Sequence, residues 1–375
     1  MFLGSERSTL MDRLPELHDA LEDTPTHELE AEGGPAIKLF KSSGAGRLLA
    51  PEASGGLGAS ALEATRIQRA IGYRAPSLAI ASTMHHFSLA SLMEAARAGE
   101  CRHALLVDAI GSQNLLVASG FAEGTTGASV LSPSLTATRV DGGYLLNGAK
   151  RPCSLSRSMD LLTASVAVEG EHGPELAVAA IPASAEGVRV EPFWGAPVLR
   201  AAESDAVFLE NVNISDGQLV RVGRPGEAAT DKIQQAGFVW FEMLMTSGYL
   251  GIVSGLLSRV LDGNRGDPGS RIQLVAAIES SAASLESVAV QLDADGPSES
   301  LLSRVLLCRY AAQRTIVSVV DECVELLGGM AFISPGSDVH LYAEASRCLA
   351  FHPPGLQRAA PALIDSLSGG ALRIV

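Results

Sequence analysis

Several residue types are scarce in this sequence, and each scarcity excludes a class of protein. Lys and Arg number 28 against 42 Asp and Glu, which gives a formal net charge of −14 at pH 7. Because a nucleic-acid backbone is bound by a clustered basic face, we expect no nucleic-acid partner. The five cysteines show no C-x-x-C spacing, so neither a structural zinc site nor a disulfide framework is expected. Such a chain suits a reducing compartment, and we expect a cytoplasmic location.

Long apolar runs are also missing. No window approaches the roughly 20 apolar residues that cross a bilayer. Residues 1–24 carry charges every few positions and lack the apolar core of a signal peptide. Hydrophobic residues make up 47% of the chain and charged residues 19%, as in globular proteins. We therefore expect an intracellular globular protein with no membrane partner.

Hydrophobic periodicity divides the chain into three predicted domains. Residues 1–117 show helical spacing and form an N-terminal α-helical domain. Residues 118–216 carry short alternating runs separated by turn signals, which predicts a central β-domain. Residues 217–375 return to helical spacing in four long segments. Four amphipathic segments of that length predict a C-terminal helical bundle.

Four motifs occur in an order that resembles the acyl-CoA dehydrogenase superfamily. They are "LLAPEASGGLGAS" at 48–60, "GYLLNGAK" at 143–150, "WGAPVLRAAESDAVFLENVNI" at 194–214 and "ELLGGMAF" at 325–332. The resemblance covers nearly the whole chain. It implies an α+β fold with an N-terminal helical domain, a central antiparallel β-barrel domain and a C-terminal four-helix bundle.

The resemblance also implies a function. The main expectation is FAD-dependent dehydrogenation of a short or functionalised acyl thioester, carried on coenzyme A or on an acyl-carrier protein. The implied partners are an electron acceptor such as an electron-transfer flavoprotein and further copies of the chain, in a homodimer or homotetramer. Two alternatives stay open. One is a flavin-dependent monooxygenase on the same fold, and the other is a catalytically silent subunit of a hetero-oligomeric dehydrogenase.

The flavin motifs of the family are only partly matched. In "AEGTTGAS", Glu123 and Gly127 match, while Ala122 and Ala128 replace hydroxyl residues. In "GAKRPCS", Lys150 and Ser154 match, but Pro152 replaces an aromatic residue. For the ADP half of the cofactor the resemblance implies Arg265, Gly328 and Gly329, with Glu325 in place of a glutamine. These residues predict an FAD site with fewer hydrogen bonds than usual.

The usual catalytic glutamate is missing. No glutamate follows Glu344, and His352 or Pro353 stands at the expected position. Some family members carry the base on the first bundle helix, where Phe241 falls at the position and Glu242 lies one residue later, about 100° around the helix. Burial among apolar residues would raise the pKa of Glu242 toward that of a working base. Monooxygenases of this fold often keep a histidine near His352, so Glu242 and His352 are both candidates.

The stretch "TMHHFSLASL" is expected to form the floor of the acyl pocket. Alignment places Thr83 and His86 on the pocket side, together with Phe241 from the later helix, and assigns His85 a structural role. A bulky polar floor would shorten the cavity and favour short acyl groups. Adjacent histidines diverge on a helix, whereas helical metal ligands recur at i and i+4, so no metal site is predicted.

Overall fold

Helices come first along the chain. The computed structural model describes residues 2–97, 101–124, 133–170, 173–223 and 232–373. The first helices are α1 (Gly4–Arg13), α2 (Pro15–Asp23), α3 (Thr26–Leu29), α4 (Ala36–Ser42), α5 (Ala61–Arg74), α6 (Pro76–Arg97) and α7 (Cys101–Gln113). The start of α5 is fixed locally, because Ser60 and Glu63 form a reciprocal capping box.

The middle of the chain forms one sheet. Its strands are β1 (Val117–Gly120), β2 (Thr136–Val140), β3 (Gly143–Cys153), β4 (Leu161–Gly170), β5 (Gly173–Pro182), β6 (Val188–Glu191), β7 (Asp205–Ser215) and β8 (Leu219–Gly223). The strand order is β6-β7-β3-β2-β4-β5-β8, with β1 beside β4. The last strand lies beyond residue 216, and the predicted domain limits remain predictions.

The predicted antiparallel barrel needs correction. Along one edge, β4 pairs with β1 through residues 161–164 and with β2 through residues 167–168. Both pairings are parallel. The remaining pairings are antiparallel. Within the described ranges no pairing joins β6 to β8, so the strands form an open mixed sheet.

Three long helices follow the sheet. They are α8 (Lys232–Asp262), α9 (Pro268–Asp295) and α10 (Glu299–Leu327). Asp267 caps α9, whose first residue is a proline with no N–H to satisfy. Gly328 ends α10 with a φ of 81°, a conformation that favours glycine.

The fourth predicted long helix is divided. Shorter elements take its place: α11 (Gly329–Ile333), α12 (Val339–Arg347), a 3-10 turn (Cys348–Phe351) and α13 (Leu356–Leu367). Pro353 and Pro354 lack an N–H and restrict the residues before them, so no helix continues through this point. The C-terminal region therefore has three long helices and an interrupted fourth segment.

Helix α8 is the one described helix that is long and apolar enough to cross a membrane. In its most apolar window, 89% of the residues are buried inside the protein. It packs against α5, α6, α9 and α10. Its hydropathy is therefore that of a central core helix.

Candidate active site

A cavity of about 270 Å³ lies where α6 and α8 meet the sheet and the turn after α12. On α6 its lining includes Ile80, Met84, Phe87, Ser88 and Ser91. Apart from the adjacent pair Phe87 and Ser88, successive residues in this set are three or four apart, so one broad face of α6 forms a wall. The cavity is strongly apolar, and hydroxyl groups make up much of its polar lining.

Thr83 and His86 lie off this face and do not line the cavity. Each precedes a lining residue by one position, which rotates it about 100° around the helix. The Thr83 hydroxyl donates to the Ala79 carbonyl and accepts from Gln68 Nε2 at 2.7 Å. We therefore correct the predicted pocket floor from Thr83 and His86 to Met84 and Phe87.

His85 and His86 have separate surroundings. His85 Nε2 lies 2.7 Å from the Gly46 carbonyl, and the Val117 N–H donates to Nδ1 at 2.9 Å. His85 thus joins three parts of the chain, as predicted for a structural residue. His86 packs edge-on to Phe40, and burial lowers its pKa well below the usual value. Among the described residues no group of His, Cys, Asp or Glu is arranged to hold a metal ion.

Helix α8 sends Phe241 and Tyr249 into the cavity lining. Glu242 follows Phe241 and points elsewhere: its carboxylate is buried 3.2 Å from Arg309 Nε. Burial raises the pKa of Glu242, and the Arg309 cation opposes that rise by favouring the ionised carboxylate. The elevated pKa predicted for Glu242 is present, but its position at the cavity is not. The one-residue offset noted in the sequence thus turns Glu242 away from the cavity, and a role as base stays an untested prediction.

His352 lines the cavity, and its ring is held from two sides. Nε2 lies 2.9 Å from the Tyr249 hydroxyl, and the ring meets Phe241 edge-on at a centroid distance of 6.0 Å. Burial and the Arg309 cation lower the pKa of His352 to about 3. Burial also raises the pKa of Tyr249 well above its usual value. At neutral pH the pair is an uncharged imidazole beside an uncharged phenol.

The sheet supplies hydroxyl groups to the opposite wall. Ser154 follows β3 and Ser204 precedes β7, and their hydroxyls lie 3.0 Å apart. Thr163 on β4 bonds Ser88 of α6 at 3.1 Å. All four residues line the cavity. Ser154 therefore lies where a flavin contact was predicted, although its role as a contact remains a prediction.

Glu123 does not line the cavity, and its carboxylate is hydrogen-bonded to other protein groups. Its carboxylate accepts from Lys150 Nζ at 2.6 Å and from the Ser134 and Leu135 N–H groups. Burial raises the pKa of Glu123, but the bonds from Lys150 and Ser134 outweigh it and lower the pKa to about 2. Glu123 thus anchors the segment of Ala122, which does line the cavity. Gly127 and Ala128 lie outside the described residues.

Arg265, Gly328 and Gly329 lie away from the cavity. Arg265 and Gly329 are exposed, and Gly266 approaches the Leu326 side chain near the end of α10. The loop of Arg265 and the segment of Gly328 therefore share one part of the surface. Their predicted contact with the ADP half of a cofactor held between subunits stays a prediction.

Sequence reasoning missed Ser88, Thr163, Ser204 and Tyr249. Two of them carried a usable signal: Ser88 falls in the helical series of Met84 and Ser91, and Tyr249 stands two steps of four residues after Phe241. Thr163 and Ser204 carried none, because only strand pairing brings them to the cavity.

The family profile "Acyl-CoA dehydrogenase, C-terminal domain" matches residues 271–352. Together with the order of helices, sheet and helices and the apolar cavity between them, it defines a flavoprotein oxidoreductase on the acyl-CoA dehydrogenase fold. The chain is 41% identical to isobutylamine N-hydroxylase of Streptomyces viridifaciens over 99% of both chains. It belongs to the acyl-CoA dehydrogenase superfamily.

Two further comparisons extend this relationship. The chain is 29% identical to dibenzothiophene monooxygenase of Rhodococcus qingshengii over 58% of its own length and 52% of that protein. It superposes on FMN-bound TdsC from Paenibacillus sp. A11-2 with a TM-score of 0.81, at 19% identity over 99% of this chain and 98% of that one. The last similarity shows the fold alone.

Proposed function

We propose that this protein is a flavin-dependent monooxygenase that hydroxylates the nitrogen of a small apolar amine. The observation that carries the proposal is the pairing of His352 with Tyr249 at a cavity whose described lining includes no carboxylate. The dehydrogenation implied by the family resemblance uses a carboxylate base to remove the proton next to the thioester carbonyl. The full-length relationship to an amine N-hydroxylase supports the same conclusion. Among our expectations, the monooxygenase alternative is thus better supported than the main one, acyl thioester dehydrogenation.

The cavity lining fits a flavin ring. Such a ring has broad apolar faces and polar edges, and the cavity offers Phe121, Pro152 and Trp194 beside the hydroxyls of Ser154 and Ser204. We propose that these residues hold the ring. Whether the cofactor is FMN or FAD depends on an adenosine site, for which Arg265 and Gly328 are the candidates. Ala122, Pro152 and Pro353, which depart from the family motifs, belong to the lining of this cavity.

Reduced flavin bound there would supply the two electrons needed to cleave dioxygen, so that one oxygen atom could go to the amine nitrogen and the other leave as water. As the N–O bond forms, the nitrogen becomes cationic and loses a proton. His352 is uncharged at neutral pH and can take up that proton only in passing, because a pKa near 3 makes it give the proton up again at once. Tyr249 fixes the orientation of the ring. The apolar walls exclude water, which would otherwise compete for the activated oxygen.

The pH dependence follows from the charge of the cavity. The described lining contains no Asp, Glu, Lys or Arg, and His352 is uncharged at neutral pH, so an alkylammonium ion has no counter-charge there. The amine must therefore enter uncharged. With an amine pKa near that of lysine, about 10.4, the uncharged fraction rises about tenfold per pH unit.

We expect kcat/KM for isobutylamine to rise by about tenfold per pH unit between pH 7 and pH 9. His352 keeps its uncharged form throughout this range, because its pKa lies near 3. Initial rates of hydroxylamine formation, measured with saturating reduced flavin, check this. A fluorinated alkyl amine that is already uncharged at pH 7 is the control and should give a flat profile. A flat profile for isobutylamine would show that its ammonium form binds.

The proposed function is tested with a substrate panel. Protein supplied with reduced flavin and air is offered isobutylamine, a dialkyl thioether and short acyl-CoA, and the products are identified by mass spectrometry. We expect N-isobutylhydroxylamine. A sulfoxide as the main product would move the proposal to sulfur oxygenation, and an unsaturated acyl-CoA would restore the dehydrogenase reading.

A further inference from the structure

The turn that carries His352 has few internal backbone hydrogen bonds. Pro353 and Pro354 have no N–H, and His352 N bonds Leu349 O at 3.3 Å, a long contact. His352 and Pro354 leave carbonyl groups that need donors, since buried backbone groups are seldom left unpaired. Phe351 beside them is 75% exposed, so packing on that side holds the turn weakly.

Helix α10 supplies the missing donors. The Arg309 guanidinium is fully buried and donates to the carbonyls of Pro354 at 2.5 Å, His352 at 2.5 Å and Leu349 at 3.2 Å. The next residue, Tyr310, donates its hydroxyl to the Pro354 carbonyl at 2.8 Å. Neither residue lines the cavity. Two consecutive side chains of one helix thus hold three carbonyls around His352.

We propose that Arg309 and Tyr310 are positioning residues: they clamp the turn 349–354 and thereby fix the His352 imidazole against Tyr249. The inference deepens the proposed function and rests on it for the role of the imidazole. The clamp needs a planar guanidinium, because only its fork reaches three carbonyls at once.

The clamp also explains Glu242. Burying the Arg309 cation without a counter-charge would be costly, and Glu242 of α8 supplies one 3.2 Å away. Both carboxylate oxygens lack a hydrogen-bond partner among the described residues, so the contact acts through charge. Glu242 is then a counter-ion that faces away from the cavity. This accounts for a buried carboxylate beside the site.

The state of the His352 imidazole can be measured directly in protein without flavin. Nitrogen-15 NMR of histidine-labelled protein reports tautomer and charge, and His352→Gln assigns the signal. We expect one fixed, uncharged tautomer in the wild type and a mixture of tautomers in Arg309→Lys and Tyr310→Phe. The titratable groups near His352 are Glu242, Tyr249, Arg309, Tyr310 and Cys348. Of these, the two substitutions change only Arg309 and Tyr310. Tyr310→Phe removes a single hydroxyl, so it serves if Arg309→Lys folds poorly.

The matched controls remove similar groups elsewhere. Arg304→Lys changes an arginine of α10 that bonds Gln291 and Ser287, and Tyr342→Phe removes a hydroxyl that donates to the Tyr73 carbonyl. Neither control should change the His352 signal. Unchanged His352 signals in both clamp variants would overturn the proposal.

Catalysis gives the second readout. We expect Arg309→Lys to lower the yield of hydroxylamine per reduced flavin consumed by about tenfold. In a His352→Ala background it should cause no further loss, because its effect passes through the imidazole. An equal loss in both backgrounds would show a merely structural role and overturn the proposal. If the wild type forms no hydroxylamine, the proposed function fails while the NMR comparison still decides the clamp.

Discussion

Replacing His352 by alanine is expected to lower the yield of oxygenated product by a factor of about 10² to 10⁴, the range for loss of a general acid or base. Reduced flavin should still be consumed, because the hydroxyls and aromatic residues proposed to hold the ring are unchanged. Its electrons then reach dioxygen without oxygen transfer and appear as hydrogen peroxide. Hydroxylamine and peroxide measured in the same reaction give the ratio that checks this.

His340→Ala is the matched control for His352→Ala. His340 is exposed on α12 and contacts the Phe332 ring. It should change neither product nor peroxide. If His352→Ala also retained the wild-type ratio of hydroxylamine to peroxide, His352 would not be the proton acceptor.

Lys150→Met is expected to lower the free energy of unfolding at pH 7 by at most about 3–5 kcal/mol, the cost of removing one partner of a fully buried ion pair, because the Glu123 side chain is 12% exposed. Lys150 is fully buried, and its Nζ also donates to Ser165 at 3.0 Å. The pair joins the strand next to Ser154 to the segment next to Ala122, both at the cavity. Denaturant unfolding of the apoprotein measures the loss.

The loss should depend on pH with a definite sign. The pKa of Glu123 is about 2 in the folded protein and near 4.5 when unperturbed. Its ionised form therefore stabilises the fold above pH 4.5, and this contribution disappears as pH falls through 2. The deficit of Lys150→Met should shrink over that window.

Lys41→Met provides the comparison for Lys150→Met. Lys41 pairs with Asp160 at 2.7 Å, but their side chains are 40% and 31% exposed. We expect a loss of about 1 kcal/mol or less. Equal losses for the two lysine variants would mean that burial of the Lys150–Glu123 pair adds nothing to stability.

The order of helices, strands and helices could be predicted because hydrophobic periodicity and turn residues are local properties. The fourth long segment was predicted as one helix, although Pro353 and Pro354 stand in it and divide it. The parallel pairing of β4 with β1 and β2 could not be predicted, because it joins segments far apart in the chain. Residues that this pairing brings to the cavity, such as Thr163, could not be predicted for the same reason.

Within the helices, prediction depended on single positions. Glu242 and His86 each stand next to a residue that lines the cavity, and a shift of one residue turns a side chain by about 100°. The placement of His352 did not depend on a helical position, because it lies in a turn next to prolines. Its neighbours Tyr249 and Arg309 come from two other helices, so the environment that keeps the imidazole uncharged could only come from the tertiary structure.

Oxygen-18 labelling tests the central claim most directly. Purified protein is mixed with reduced flavin, isobutylamine and ¹⁸O₂, and the products are analysed by mass spectrometry. Oxygen transfer predicts one ¹⁸O atom in each molecule of N-isobutylhydroxylamine, with wild-type yield in His340→Ala and almost none in His352→Ala. Absence of labelled product in the wild type, together with anaerobic bleaching of the oxidised flavin by an acyl thioester, would contradict the account and identify a dehydrogenase.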